Sequence, residues 1–168
     1  MPDPASSPSS LTRIARQGRR HRAEALVKDH VIVSMGVGLL PLPTVDLIVL
    51  TAVQLRMLRR ICQLYDVRFR DNLGKSALSA FISALLPVQS TLYLASLLRL
   101  LPGSGQLASA SAVSLLAGAL THASGMVFIV HFERGGTLLD FSARRMLALG
   151  WREFRAGLRL AHQPRTAD

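Results

Sequence analysis

Charge is distributed along this chain in a way that few water-facing folds tolerate. No Asp or Glu occurs from Asn72 to Phe132, and Arg99 is the only basic residue between Ser76 and Glu133. The other bases crowd the flanks: six from Arg13 to Lys28, six from Arg56 to Lys75 and seven from Arg134 to Arg165. A surface in water needs charge. A bilayer excludes it, because an ionised side chain at its centre costs about 2.5–3.5 kcal/mol on insertion scales. The gap therefore places the middle of the chain in or against lipid.

The formal net charge of +10 would suit nucleic acid if the bases formed a patch on a polar fold. Here they flank apolar runs, and mean hydropathy is +0.32. That pattern fits an anionic cytoplasmic leaflet, where each juxtamembrane Lys or Arg contributes about 1 kcal/mol. The 168 residues suit one domain. Cys62, the only cysteine, rules out an internal disulfide or a thiolate zinc cluster. Its apolar, helix-periodic setting marks it as a small buried hydrophobe rather than a reactive thiol. No cleavable signal peptide is expected, because the first apolar run starts only at Val31 and no small-residue cleavage site follows. For the basic, acid-poor residues 1–30 an organelle transit peptide stays open as an alternative.

The periodicities predict an all-α, membrane-associated protein. It comprises an amphipathic helical hairpin, a hydrophobic two-helix transmembrane hairpin and basic terminal helices. Residues 1–22 form the leader, 23–141 the helical domain and 142–168 a basic amphipathic helix and tail. Met1 to Ser10, rich in Pro and Ser, reads as a disordered tail. Leu11 to Lys28 reads as a basic helix, either lying on a membrane or solvated. Val31 to Leu40 is apolar and is stopped by Pro41 and Pro43, which fix φ and push the preceding residues out of the α region. A second helix is expected from Thr44 to about Tyr65, with Asp46 complementing its dipole. At 100° per residue Asp46, Arg56, Arg59, Arg60 and Gln63 share one sector, while Leu55, Leu58, Ile61 and Cys62 lie outside it. A polar connector, Asp66 to Lys75, leads into apolar helices over Ser76–Leu101 and Gln106–Val130. The turn Pro102-Gly103-Ser104-Gly105 joins them.

Among the three apolar segments, 31–53 would separate two arginine-rich loops if it spanned, against the rule that such loops stay cytoplasmic. It also carries Asp46 and the prolines. It is therefore expected to stay at the interface or dip in and return. Spans at 76–98 and 107–130 keep both termini on the cytoplasmic side of a bacterial inner membrane and expose only the neutral turn beyond it. Stripes of small residues, Ala110-Ser114-Gly118 and Ala117-Thr121-Gly125, would let helix backbones approach. A soluble bundle with an Ala- and Ser-rich core is the competing reading.

Motifs for chemistry are sparse. Gly74-Lys75-Ser76 ends like a phosphate-binding loop, but Phe69 stands where the first glycine belongs. Gly36 and Gly38 lack the third glycine of a dinucleotide site. His122 and His131 are nine apart and point in opposite directions on one helix. His131 sits where the helix would leave the membrane. His122 is either a proton-relay group or, as this reading prefers, a partner for a neighbouring helix. No catalytic carboxylate pair or Ser/His/Asp set is defensible, and no cofactor or metal is implied.

Three stretches carry a family resemblance: Ala23–Phe69, which includes SMGVGLLPLPTVDL and QLRMLRRICQLYDV; the LPGSG turn, Leu101–Gly105; and MVFIVHFERGGTLLDF, Met126–Phe141. In these the chain resembles the YcjF-like domain of unknown function, a family of uncharacterised bacterial membrane-associated proteins. That resemblance implies a domain often fused to, or encoded near, Era-like GTPase domains, with no established activity. This chain lacks a nucleotide-binding half, so such a GTPase would act in trans. Asp46, Gln54, Tyr65, His131, Gly135 and Gly136 fall on the family's polar pattern and are candidates for structure or interaction. Pro41, Pro43 and His122 join them from the residue reading.

The function expected is that of a non-enzymatic membrane-side partner or regulator, in which the hairpin 31–65 and the C-terminal helix form the interaction surface. Two alternatives belong to other classes. One is a small oligomeric pore or transport component, for which a homo-oligomer is essential. The other is a soluble basic bundle that binds nucleic acid, which the flanking pattern of bases disfavours.

Overall fold

A computed structural model of the chain describes residues 8–39, 43–85 and 105–162, with side chains over 10–39, 48–85 and 110–160. These residues form five helices and no strand: α1 (Pro8–Gly38), α2 (Pro43–Leu64), α3 (Asp71–Leu85), α4 (Gly105–Glu133) and α5 (Ala143–His162).

α4 is the axis of the fold. It carries neither acid nor base before Glu133 and is apolar on every face, the signature of a helix enclosed by others. α1 packs along one side of it and α5 along another, and α2 and α3 complete the wall. Two apolar cores result, one on each side. Ala23 and Val27 of α1, Met57, Leu58, Ile61 and Cys62 of α2, and Phe128, Ile129 and Phe132 of α4 form the first. Phe81 and Leu85 of α3, Leu120 and Val127 of α4, and Met146 and Phe154 of α5 form the second. Each fully buried Leu, Ile or Phe is worth about 1.5–3 kcal/mol. This α4-centred burial is therefore what holds the helices together.

The small-residue stripe of α4 faces α1 and sets how closely the two approach. A Cβ on Gly118 would lie 2.7 Å from Met35 Cγ, and one on Gly125 2.8 Å from Val27 Cγ1. From the other side, a Cβ on Gly38 would lie 2.7 Å from Ser114 Cα. Close backbone approach needs these missing atoms. α5 repeats the device with Gly157, 2.9 Å from Ala119 Cα by the same measure.

Several expectations are corrected. The leader helix and the first apolar segment are one helix, running unbroken through Asp29 and His30. No proline interrupts Leu11 to Leu40, and His30 Nδ1 sits 2.8 Å from the Leu26 carbonyl inside that helix. The helix also begins at Pro8, within the stretch read as a tail, since proline suits a first helical turn. The polar connector is shorter than expected, because α3 starts at Asp71 and takes in Gly74, Lys75 and Ser76. Gly74 is buried there, its N–H bonded to the Arg70 carbonyl at 2.9 Å, so this stretch makes no phosphate loop.

Of the two expected spans, one is matched by a described helix. Ala110–Glu133 is long and apolar enough to cross a membrane, and 67% of an 18-residue apolar window within it is buried inside the protein itself. The expected span over 76–98 coincides with α3 only as far as Leu85. Arg99 and residues 102–104 of the turn, like Pro41, lie outside the described residues.

Candidate functional site

Polar side chains gather at three levels of α4. At the middle level, Ser34 of α1, Gln54 of α2 and Thr121 of α4 form a buried chain. Gln54 Nε2 donates to Thr121 Oγ1 at 3.4 Å, and Thr121 Oγ1 donates to Ser34 Oγ at 2.9 Å. Two turns away, Ser114 Oγ donates to the Met35 carbonyl at 2.8 Å. These bonds join three helices by groups that would be costly to leave unpaired, so they fix the helices' register. His122 faces α5 instead, its Nε2 3.6 Å from the Glu153 carboxylate, which Arg152 also holds at 2.9 Å. Burial keeps the imidazole of His122 below its ordinary range, against the pull of Glu153.

At the C-terminal level, Glu133 ties α4 to α1 and α2. Arg20 reaches Glu133 at 2.9 Å and Glu24 at 2.8 Å, while the Tyr65 hydroxyl donates to Glu133 at 3.2 Å. Arg19 lies 5.7 Å from the centre of the Tyr65 ring. Burial, followed by the charge of Glu133, pushes the Tyr65 phenol up to about 12. It is therefore a protonated donor at neutral pH.

Beyond Glu133 the chain closes in a tight turn. The Gly135 N–H bonds to the Phe132 carbonyl at 2.9 Å and the Gly136 N–H to the His131 carbonyl at 3.0 Å, with Gly135 at φ +81°. This is a Schellman cap, which glycine enters without a Cβ penalty. A Cβ on Gly136 would fall on the His131 ring, so that glycine lets the imidazole reach the Thr137 carbonyl at 2.9 Å. Asp140 accepts from both the N–H and the hydroxyl of Thr137 at 2.6 Å, and these bonds hold its carboxyl below the usual range. His131, Arg134, Asp140 and Arg145 border a polar cavity of about 310 Å³ here.

The opposite end of the molecule is apolar and open. Ile32, Val33 and Leu39 of α1, Ile48 and Val49 of α2 and Leu160 of α5 are 36 to 72% exposed.

The sequence-selected residues thus separate into distinct places. Gln54 belongs to the buried chain, His122 to the α4–α5 contact, Tyr65 to the Glu133 cluster, and His131, Gly135 and Gly136 to the closing turn. Pro43 is the first residue of α2, while the side chain of Asp46 lies outside the described residues. Sequence reasoning missed Arg20, Glu24 and Ser34. The first two were legible as an acid–base pair four apart. Ser34 carried no signal, because its role depends on which helix faces it. Among the described residues no three His, Cys, Asp or Glu gather as metal ligands.

Comparison with known proteins gives the same scale of unit. A family model described as a domain of unknown function, DUF697, matches residues 8–145. Magnetosome membrane protein 22 of Magnetospirillum gryphiswaldense is 32% identical over 145 residues, covering 86% of this chain and 74% of that protein. No solved structure matches the chain.

Proposed function

The chain belongs to the DUF697 family, a domain of unknown function, and from its geometry we propose a non-enzymatic protein that docks its apolar end in a membrane. Its basic flanks then lie on the anionic face and are free to bind a partner. The observation that carries this reading is the open apolar end. Isolated exposed apolar residues are ordinary, but six large ones at the end of a bundle that is otherwise rich in arginine mark an interaction surface. The magnetosome relative, itself named a membrane protein, points the same way.

Depth follows from where charge resumes. Gly157 touches α4 at Ala119, and Arg155 and Arg159 beside it are exposed. Below that level α4 runs from Gly105 to Gly118, about 20 Å at 1.5 Å per residue. That is more than one leaflet of hydrocarbon and less than the roughly 30 Å of the full core. A dip from the cytoplasmic side, with the arginines of α5 at the headgroups, satisfies both. The length of Ala110–Glu133 favours a second reading, complete crossing with the turn at Ser104 on the far side. Labelling of Ser104→Cys in sealed vesicles separates them, and buried Cys62 leaves no competing surface thiol.

Flotation with phosphatidylglycerol vesicles tests the docking itself. The protein should float, and Ile32→Asp combined with Ile48→Asp should abolish flotation while unfolding shifts by under about 0.5 kcal/mol, since both sites are exposed. A monodisperse protein that ignores such vesicles would refute it. The partner role rests on the resemblance to GTPase-associated domains. Its test is co-flotation of an Era-like GTPase from the same cell, dependent on the bound nucleotide and on the vesicle-bound protein. A homo-oligomer is also compatible with this docking and is read from crosslinking on the same vesicles.

A further inference from the structure

Between α1 and α5, on the side of α4 away from α2, lies an apolar groove of about 550 Å³. That volume falls in the range of roughly 300–1,000 Å³ common to small-molecule sites. Val31, Met35 and Leu39 of α1 form one wall, and Leu160 of α5 lies opposite. Gly36 contributes no side chain to the groove, and a Cβ there would meet nothing within 4 Å. It has a direction. Leu39 and Leu160, 55% and 52% exposed, stand at the apolar end of the molecule. Lys28 stands at the other end, exposed and with no ion pair among the described residues. The acid one turn before it, Glu24, is already held by Arg20 at 2.8 Å, and Glu153 across the groove is held by Arg152 at 2.9 Å. The free charge of the groove is therefore positive and sits at its inner end.

We propose that this groove holds one acyl chain of an anionic phospholipid drawn from the leaflet, with its phosphate on Lys28. Charge complementarity selects the occupant. An apolar slot that opens toward lipid and ends in an unpaired ammonium matches an amphiphile with one anionic head, whereas a peptide helix would need a wider and more polar rim. The inference deepens the docking reading by naming what the docked end binds, and it rests on that reading for the source of the lipid.

The test separates the two. Native mass spectrometry of the full chain with lyso-phosphatidylglycerol, below its micelle concentration, needs no bilayer. A one-to-one adduct is expected, about fivefold weaker with lyso-phosphatidylcholine or in Lys28→Gln, as for one lysine near an anionic headgroup. Gly36→Phe should remove the adduct. A Cβ there meets nothing within 4 Å, so the fold tolerates the change while the ring fills the slot. Vesicle flotation of Gly36→Phe should stay at the parent level. An adduct that survives Gly36→Phe, or that ignores headgroup charge, overturns the groove even if flotation succeeds. Adduct formation as expected by a protein that never floats keeps the groove and sinks the docking.

Discussion

The two ends of α4 share a composition without Asp, Glu, Lys or Arg before Glu133 and meet opposite surroundings. From Ala117 to Phe132 nearly every residue is buried, and α1, α2, α3 and α5 enclose the helix. From Ala110 to Leu116 the same helix is half open, and its neighbours turn Ile32, Leu39, Ile48 and Leu160 outward. Hydrophobicity along a chain therefore does not by itself distinguish a protein core from a membrane segment. What distinguishes them is how completely the neighbouring helices enclose the segment: Gly125 and Thr121 meet Val27 and Ser34 inside a closed shell, while Ser114, though paired with Met35 and packed on Gly38, has the exposed Ser111 and Ala112 beside it.

The sharpest way to break this contrast is to spoil the enclosed end. Gly125→Leu forces a side chain into Val27 and should cost about 3 kcal/mol or more, read as a collapse of the urea midpoint. The same change at Gly36 should cost almost nothing. Next in size, Thr121→Val removes the centre of the buried chain and strands Gln54, at about 1–3 kcal/mol. The two helix caps give a third comparison. Asp66 at the end of α2 adopts φ 57° in the same cap geometry that Gly135 gives α4. Asp66→Gly should stabilise by up to about 1 kcal/mol, and Gly135→Ala should destabilise by about 1–2 kcal/mol, both seen in thermal melts. The smallest effect is electrostatic. The folded state holds the His122 proton less tightly than the unfolded chain does, so stability is complete above the ordinary imidazole value near 6.5 and declines as pH falls below it. His122→Gln should flatten that slope in melts taken across pH 5 to 7.

Much of the architecture was legible because its signals are local. The amphipathic periodicity of α2 placed Leu58, Ile61 and Cys62 inward and Arg56, Arg59 and Arg60 outward, as they lie. The two small-residue stripes, one ending at Gly118 and the other at Gly125, announced a close helix contact. They did not say with what, and the partner proved to be α1, whose first half had been read as a separate leader. The boundary failed there because Asp29 and His30 are polar without breaking a helix, and polarity is a weaker stop than proline. The Glu133 cluster was illegible for a different reason: Arg20, Tyr65 and Glu133 are distant in sequence and meet only after three helices have packed. Gly135 and Gly136 stood out as a pair, but the pair could not reveal that one forms a cap and the other clears space for His131.

The seam at Gly118 and Gly125 has a consequence for where this molecule can exist. It coheres through dispersion between closely approaching backbones and through internal hydrogen bonds, neither of which depends on water being driven out. A contact held by such forces outlasts a change of medium from aqueous to hydrocarbon, unlike the apolar burial that joins the rest of the bundle.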